Sequence, residues 1–386
     1  MKKLFYTGLL GLAAFEVANV YFIMPMPGSQ RFDSLETAYF LYSWRWAFRA
    51  VFGLLAVAGA PAAFRVPRRG QLAWPAAALL AVGSVAWLFN FKMTADHMFR
   101  EPPNPVYLGR EQNKVALDAV VIGVEHHGEA RAYPIRYILY HHQVRDTVGG
   151  QPVMVTYCNV CRTGRVYDPV VNGHAERFRL VGMDHFNAMF EDATTGSWWR
   201  QVSGEAVTGK LQGAQLPILP FTQLALKQWF ELHPAGQVLQ ADGTDPEHFK
   251  DTDGFERGNG KSDLTRTNPK SWEEKSWVLG VEVGSVSKAY DWNRLKKERV
   301  VNDVVGGVPL VLVLAGDNLT FVAYERPGPD PFTLDAGVLV SAGQRYDFAG
   351  KSLGEATGKT RLRAVRASQE FWHSWRTFHP ATLRGE

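Results

Sequence analysis

Val121–Pro169 and Val278–Arg326 are one stretch of sequence written twice, and this repeat restricts the fold more than any other property of the chain. The two segments align without a gap at an offset of 157 residues (Gly123 to Gly280). Glu125/Glu282, Tyr133/Tyr290, Asp146/Asp303, the Gly-Gly pairs 149–150/306–307, Pro152/Pro309 and Tyr167/Tyr324 all coincide. What both copies keep serves the fold. What one copy keeps is a candidate for function. Cys158 and Cys161, the two cysteines of the chain, align with Ala315 and Asn318, and His142 aligns with Arg299.

The copies are expected to be β-rich. Ala119–Val124 and Ala130–Tyr133 flank His126-His127-Gly-Glu as a hairpin, and Ile135–Tyr140 fits a short helix. Val144–Thr147, Val148-Gly-Gly and Pro152–Tyr157 read as strand, turn and strand, with a further strand over Arg165–Tyr167. The second copy repeats the plan over Ser276–Val283, Val286–Tyr290, Val300–Val305, Pro309–Leu314 and Thr320–Tyr324. A weaker echo follows each copy at an offset of 146 (Pro234 to Pro380): Gly204–Lys210 with Gly354–Lys359, and Trp229–Pro234 with Trp375–Pro380. Each copy is expected to end in a short helix, Leu224–Leu232 and Ser368–Phe378. His233 and His379 read as helix C-terminal caps rather than metal ligands.

Three apolar stretches fill the first quarter: Leu4–Met24, a second that starts after Glu36 with its core at Ala47 to Ala63, and Leu72–Phe91. Each approaches the roughly 20 residues a membrane span needs. Lys2 and Lys3 precede the first, and Arg65, Arg68 and Arg69 separate the second and third. The positive-inside rule places these cations in the cytoplasm and the chain after about residue 95 on the outer face. A cleaved signal peptide is the competing reading of the first stretch, but Glu16 interrupts it and no small-x-small site follows. Arg45 and Arg49 read as anchors at the outer interface in preference to functional intramembrane charges. A net charge of +4 without a basic run gives no footprint for nucleic acid.

Two cysteines cannot make a disulfide framework. In thioredoxin-like proteins a Cys-x-x-Cys pair opens a helix. Here a β-type run precedes Cys158-Asn-Val-Cys161, another follows it, and the other copy has the turn sequence Ala315-Gly-Asp-Asn318 in its place. The pair is therefore expected at a hairpin tip, resembling a knuckle that offers two thiolates to a metal. His142 is the first candidate for a further ligand and His185 the second, with His126 and His127 behind them. Such a set suits copper or zinc, and soft thiolates favour Cu(I). Redox-active thiols and a structural disulfide remain open alternatives.

Val155-Thr-Tyr-Cys-Asn-Val-Cys161 with Tyr167-Asp-Pro, and Asp192-Ala-Thr-Thr-Gly-Ser-Trp-Trp-Arg-Gln201 running into Gly204-Glu-Ala, resemble the extracytoplasmic domain catalogued as domain of unknown function 3179. The resemblance covers about Tyr107–Gln240, and the family's His before the first hairpin maps onto His142. The chain departs from the family at Asn159, where Pro is preferred, and at His185. The family carries no established activity, so the resemblance implies a domain and no mechanism. Asp192, Trp199 and Gln201 in the second block are candidates for supporting groups around the cysteines.

These readings combine into an α+β protein: a three-helix membrane anchor followed by a β-rich, internally duplicated extracytoplasmic domain. The expected divisions are an anchor over 1–95, a cysteine-containing repeat over 100–240, an exposed linker or insertion over 241–275, and a degenerate repeat over 276–386. The leading expectation is a copper- or zinc-binding protein of a bacterial-type inner membrane, using Cys158, Cys161, His142 and His185. The bilayer is its first partner and a membrane or periplasmic protein a candidate second. A thiol–disulfide redox protein and a non-catalytic interaction module held by one disulfide are the alternatives.

Overall fold

The computed structural model describes residues 1–65, 69–241, 243, 249, 252–354 and 361–385. Arg68 and most of the Gly354–Lys359 echo lie outside the described residues. The chain is α+β: helices at the N-terminus and a β-rich remainder. It forms two compact units, and they do not follow chain order. Residues 1–100 form one unit together with 177–200 and 205–215; residues 101–176, 201–204 and 216–386 form the other. Residues 177–200 and 205–215, which lie within the 100–240 segment of the sequence, contribute a sheet of their own and cluster with the N-terminal helices.

In the first unit three helices, Lys2–Tyr21, Arg45–Phe64 and Gly70–Phe91, are long and apolar enough to cross a membrane. Small residues let the first two approach closely: a Cβ on Gly8 would lie 2.4 Å from the Ala56 backbone nitrogen, and one on Gly59 2.2 Å from that of Phe5. Glu16, the acid that interrupts the first apolar stretch, is buried. Arg49 donates to both its carboxylate oxygens at 2.8 and 2.9 Å, and the Asn90 amide adds a third bond at 2.9 Å. Glu16 and Arg49 are thus each other's partner, and the Arg49 side chain turns into the bundle rather than out to the interface. The sheet of this unit has the strand order 206–208, 198–200, 187–192, 178–184.

The second unit traces one path twice. Its first half pairs the hairpin Val120–His126/Glu129–Pro134 with Thr222–Ala225 on one side and, in parallel, Gln237–Leu239 on the other. The second half pairs Trp277–Val283/Val286–Asp291 with Arg366–Phe371 on one side and, in parallel, Leu383–Gly385 on the other. Each hairpin leads into a seven-residue helix, Ile135–His141 or Trp292–Glu298. Each helix leads into a three-stranded sheet: Gln143–Val148, Gln151–Cys158 and Thr163–Tyr167, or Val300–Val305, Val308–Leu314 and Phe321–Glu325. The Gly-Gly pairs turn the first hairpin of each sheet with positive φ at both positions (53° and 82°, 56° and 80°), the conformation two-residue hairpins require.

The residues common to both copies hold these halves together. Tyr133 donates to Asp146 at 2.7 Å, and Tyr290 to Asp303 at 2.6 Å. A Cβ on Gly123 would lie 2.3 Å from the Trp229 ring, and one on Gly280 2.1 Å from the Trp375 ring, so glycine is required for the closing helices to dock. Those helices are Leu226–Leu232 and Trp372–Phe378, shorter at the start than the sequence pattern predicts. Their expected first residues pair instead as edge strands with the hairpins. His233 and His379 are the C-caps, each packed against the tryptophan one turn back, with centroids 4.1 Å apart and tilted in the first pair and 3.9 Å apart and stacked in the second.

Candidate thiol site

The strand Gln151–Cys158 ends on Cys158, which pairs with Thr163 at the start of the next strand. Cys161 therefore sits in the connection between two hairpin strands, as the sequence pattern predicts, and no helix starts there. Both residues are thiols and both have no exposed surface. Arg162 leaves the turn with φ 58°, a left-handed conformation that reverses the chain into the second strand.

His142 ends the Ile135–His141 helix, also with positive φ (58°). Its backbone carbonyl accepts from Tyr157 N at 3.0 Å, and its ring Nδ1 lies 3.0 Å from the Tyr157 carbonyl oxygen, one residue before Cys158. Arg299 occupies the same place in the other half, with φ 65°. Its guanidinium donates to Ala315 O at 2.8 Å and to Asn318 Oδ1 at 2.7 Å, the two positions that align with Cys158 and Cys161. Position 142/299 is thus the one from which a side chain serves the turn. Burial pushes the His142 ring down to about 4, against the opposing effect of the Tyr157 carbonyl, so the imidazole is neutral near pH 7.

The second half closes over this turn. Phe371 N donates to Cys161 O at 2.9 Å. Lys275 Nζ donates to Val160 O at 2.8 Å and to Leu264 O at 2.6 Å, and lies 3.1 Å from His373 Nε2. His373 Nε2 is itself 3.1 Å from Val160 O. Burial pushes the Lys275 ammonium down to about 8, while Cys161 and then Cys158 act electrostatically in the opposite sense. His373 is pushed down to about 3, by burial first and then by the Lys275 charge.

Buried arginines fix the turn from both sides. Arg162 donates to Gln369 Oε1 at 3.0 Å and to the carbonyls of Phe255 and Glu256 at 2.9 and 2.7 Å, and it lies 3.6 Å above the Trp277 ring. Arg165 pairs with Glu370 at 2.8 Å, both fully enclosed. Gln201 donates to Thr156 Oγ1 and to Thr163 O, each at 3.0 Å, and so ties the two hairpin strands together.

The structure therefore brings Cys158, Cys161, His142 and Gln201 to one hairpin. His185, Asp192 and Trp199 belong to the first unit. His185 Nδ1 is 2.7 Å from Asp184, which also receives Arg200. Asp192 accepts from Thr195, Ser197 and the Trp199 indole, the last at 2.9 Å, and so staples its own turn. His126 and His127 lie against each other at the tip of the first hairpin, their rings tilted and both Nδ1 atoms facing Gly149 O. Among the described residues no three His, Cys, Asp or Glu side chains gather closely enough to hold a metal ion. Lys275 and His373 escaped the sequence reading. Their signal was there: three residues upstream of the aligned block, Lys275 stands opposite Asp118, and in the later echo His373 stands opposite Lys227.

A buried thiol turn in one half of a twice-traced α+β unit, joined to a helical N-terminal region, defines the class of protein. The chain belongs to a family described as a protein of unknown function, DUF3179, whose model matches residues 103–382. The match runs past Gln240 and takes in both halves. No curated protein and no solved structure matches the chain.

Proposed function

We propose that this is a membrane-anchored, outward-facing metal-binding protein that holds copper or zinc on the Cys158 and Cys161 thiolates and recruits His142 as a third donor when the ion binds, since no three such side chains stand together in the described residues beforehand. The observation that carries the reading is the position of the thiol pair. It sits in a hairpin turn present in only one of two equivalent halves, served by residue 142, whose counterpart grips both equivalent turn positions. Soft thiolates with a neutral imidazole suit Cu(I) and Zn(II). The two halves are read as products of duplication, with the second as a partner that encloses the working turn. The positive-inside pattern orients the anchor with the β-rich region outside an inner membrane, where a membrane or periplasmic protein is the proposed partner and nucleic acid has no part.

The test is anaerobic titration of the reduced full-length protein in detergent. Near-stoichiometric Cu(I) or Zn(II), lost in Cys158→Ser and weakened in His142→Ala, is the expected result. No binding by fully reduced protein would sink the reading. One observation favours thiol–disulfide chemistry as the second: the Lys275 ammonium, held on Val160 O between the two cysteines, acts electrostatically on both, and a nearby cation favours the thiolate form. A reduction potential near the ambient poise would support that redox role, whereas a very low one would mark a structural staple.

A further inference from the structure

The two halves of the second unit meet at equivalent strand–helix corners, residues 223–228 and 369–374, related by the offset of 146. Matching bonds seat both corners. Leu226 N donates to Ala119 O at 2.8 Å and Trp372 N to Ser276 O at 2.9 Å; Lys227 N donates to Leu117 O at 2.7 Å and His373 N to Glu274 O at 2.9 Å. Each corner faces the turn of the opposite half, but the two stand differently on it. Corner 369–374 is closed on the cysteine turn. Gln369 accepts from Arg162 at 3.0 Å, Glu370 from Arg165 at 2.8 Å, and Phe371 N donates to Cys161 O at 2.9 Å. Corner 223–228 stands off from the cysteine-free turn. Ala225, Lys227 and Gln228 line a cavity of about 1110 Å³ together with residues 315–319. Ala225 N donates to Thr320 Oγ1, beyond the turn, at 3.1 Å.

The sequences of the turns account for the difference. Asp317 accepts from Leu319 N and Thr320 N, each at 2.9 Å, and Arg299 donates to Ala315 O at 2.8 Å, so the cysteine-free turn is held by its own half. Val160 stands in the place of Asp317 and brings no side-chain acceptor. The cysteine turn takes its donors from the other half: Lys275 Nζ reaches Val160 O, and Phe371 N reaches Cys161 O. Buried carbonyls without donors are costly, which favours the closed corner, and water can satisfy them when the corner moves away. Enclosure of the thiols is thus a property of the junction between the halves, not of the hairpin.

We propose that corner 369–374 is a gate on the thiol turn. Closed, it keeps ions and thiol reagents from Cys158 and Cys161; open, it takes the stand-off arrangement that its equivalent, 223–228, already holds. The inference rests on the reading of Cys158 and Cys161 as the working groups. Its test is the rate at which N-ethylmaleimide labels the reduced full-length protein in detergent, read by mass spectrometry against the same protein denatured. Gln369→Ala removes an acceptor of Arg162 and loosens the junction. Gln223→Ala removes the bond between the two glutamines, keeps the acceptor of Arg162, and serves if the first variant does not fold. Leu339→Ala opens a cavity in a core of the second half away from the junction and is the control.

The folded wild type is expected to label about a hundredfold more slowly than the denatured chain, and the junction variants roughly tenfold faster than the wild type, with Leu339→Ala unchanged. Labelling of the folded wild type at the denatured rate would overturn the gate. So would equal acceleration by Leu339→Ala and the junction variants, since the thiols would then be reached by unfolding of the whole unit. Failure of the underlying reading shows elsewhere: no bound ion together with a very low reduction potential would overturn the working thiols, and the gating role with them.

Discussion

Gln223 Nε2 donates to Gln369 Oε1 at 3.2 Å, and the two glutamines are equivalents at the offset of 146 that relates the ends of the two halves. Each lies on the strand that precedes its half's closing helix, so the halves meet where like faces like. Gln369 Oε1 also accepts from Arg162 at 3.0 Å, which links this junction to the cysteine turn.

Arg162 and Arg165 are expected to dominate the stability of that junction. Glu370→Gln leaves the enclosed Arg165 without its charge partner and should cost about 3–5 kcal/mol. Denaturant unfolding at neutral pH measures it. A loss below about 1 kcal/mol would show that the pair does not hold the halves together.

Gly123→Ala and Gly280→Ala should both destabilise, because each new methyl meets a tryptophan ring at 2.3 or 2.1 Å. Overpacking of this kind costs about 1–3 kcal/mol or more. Equal falls in the unfolding midpoint are expected from the equivalent sites. A stabilised variant at either position would contradict the packing described.

Stability should fall in acid through His373. Its folded-state value, about 3, lies below the roughly 6.5 of an unfolded histidine. Between those values the unfolded chain binds the extra proton, so stability rises with pH there and is lost as pH drops from about 6.5 toward 3. His373→Gln should flatten the pH dependence of the unfolding midpoint in that window. An unchanged slope would count against a buried neutral ring.

Arg49→Gln should weaken the helical unit by leaving Glu16 buried without a cation, at a cost of about 3–5 kcal/mol. The double variant Glu16→Gln with Arg49→Gln should recover much of it. Thermal aggregation in detergent reads both. Equal loss in the single and double variants would show that the pair is not coupled.

The repeat, the three apolar helices, the hairpins and the placing of both cysteines on a turn rather than a helix start were legible in the sequence. Each follows from local chemistry: apolar periodicity, Gly-Gly turns, and alignment of one copy against the other. The first-unit sheet was not legible, because strand pairing between distant segments leaves no local mark; 178–192 could be read as strands without revealing which unit they join. Nor was the Glu16–Arg49 bond, since the two charges stand 33 residues apart and meet only when two helices pack.

By itself the sequence determined which half of the unit carries the thiols, because Cys158, Cys161 and His142 lack counterparts in the other. Only the tertiary structure decided what stands over them. Lys275 and His373 lie 114 and 212 residues beyond Cys161 (161 to 275 and 161 to 373), and nothing local directs them there. They arrive because two equivalent halves pack so that each lends residues to the other's turn, a relation that exists only once both halves have folded.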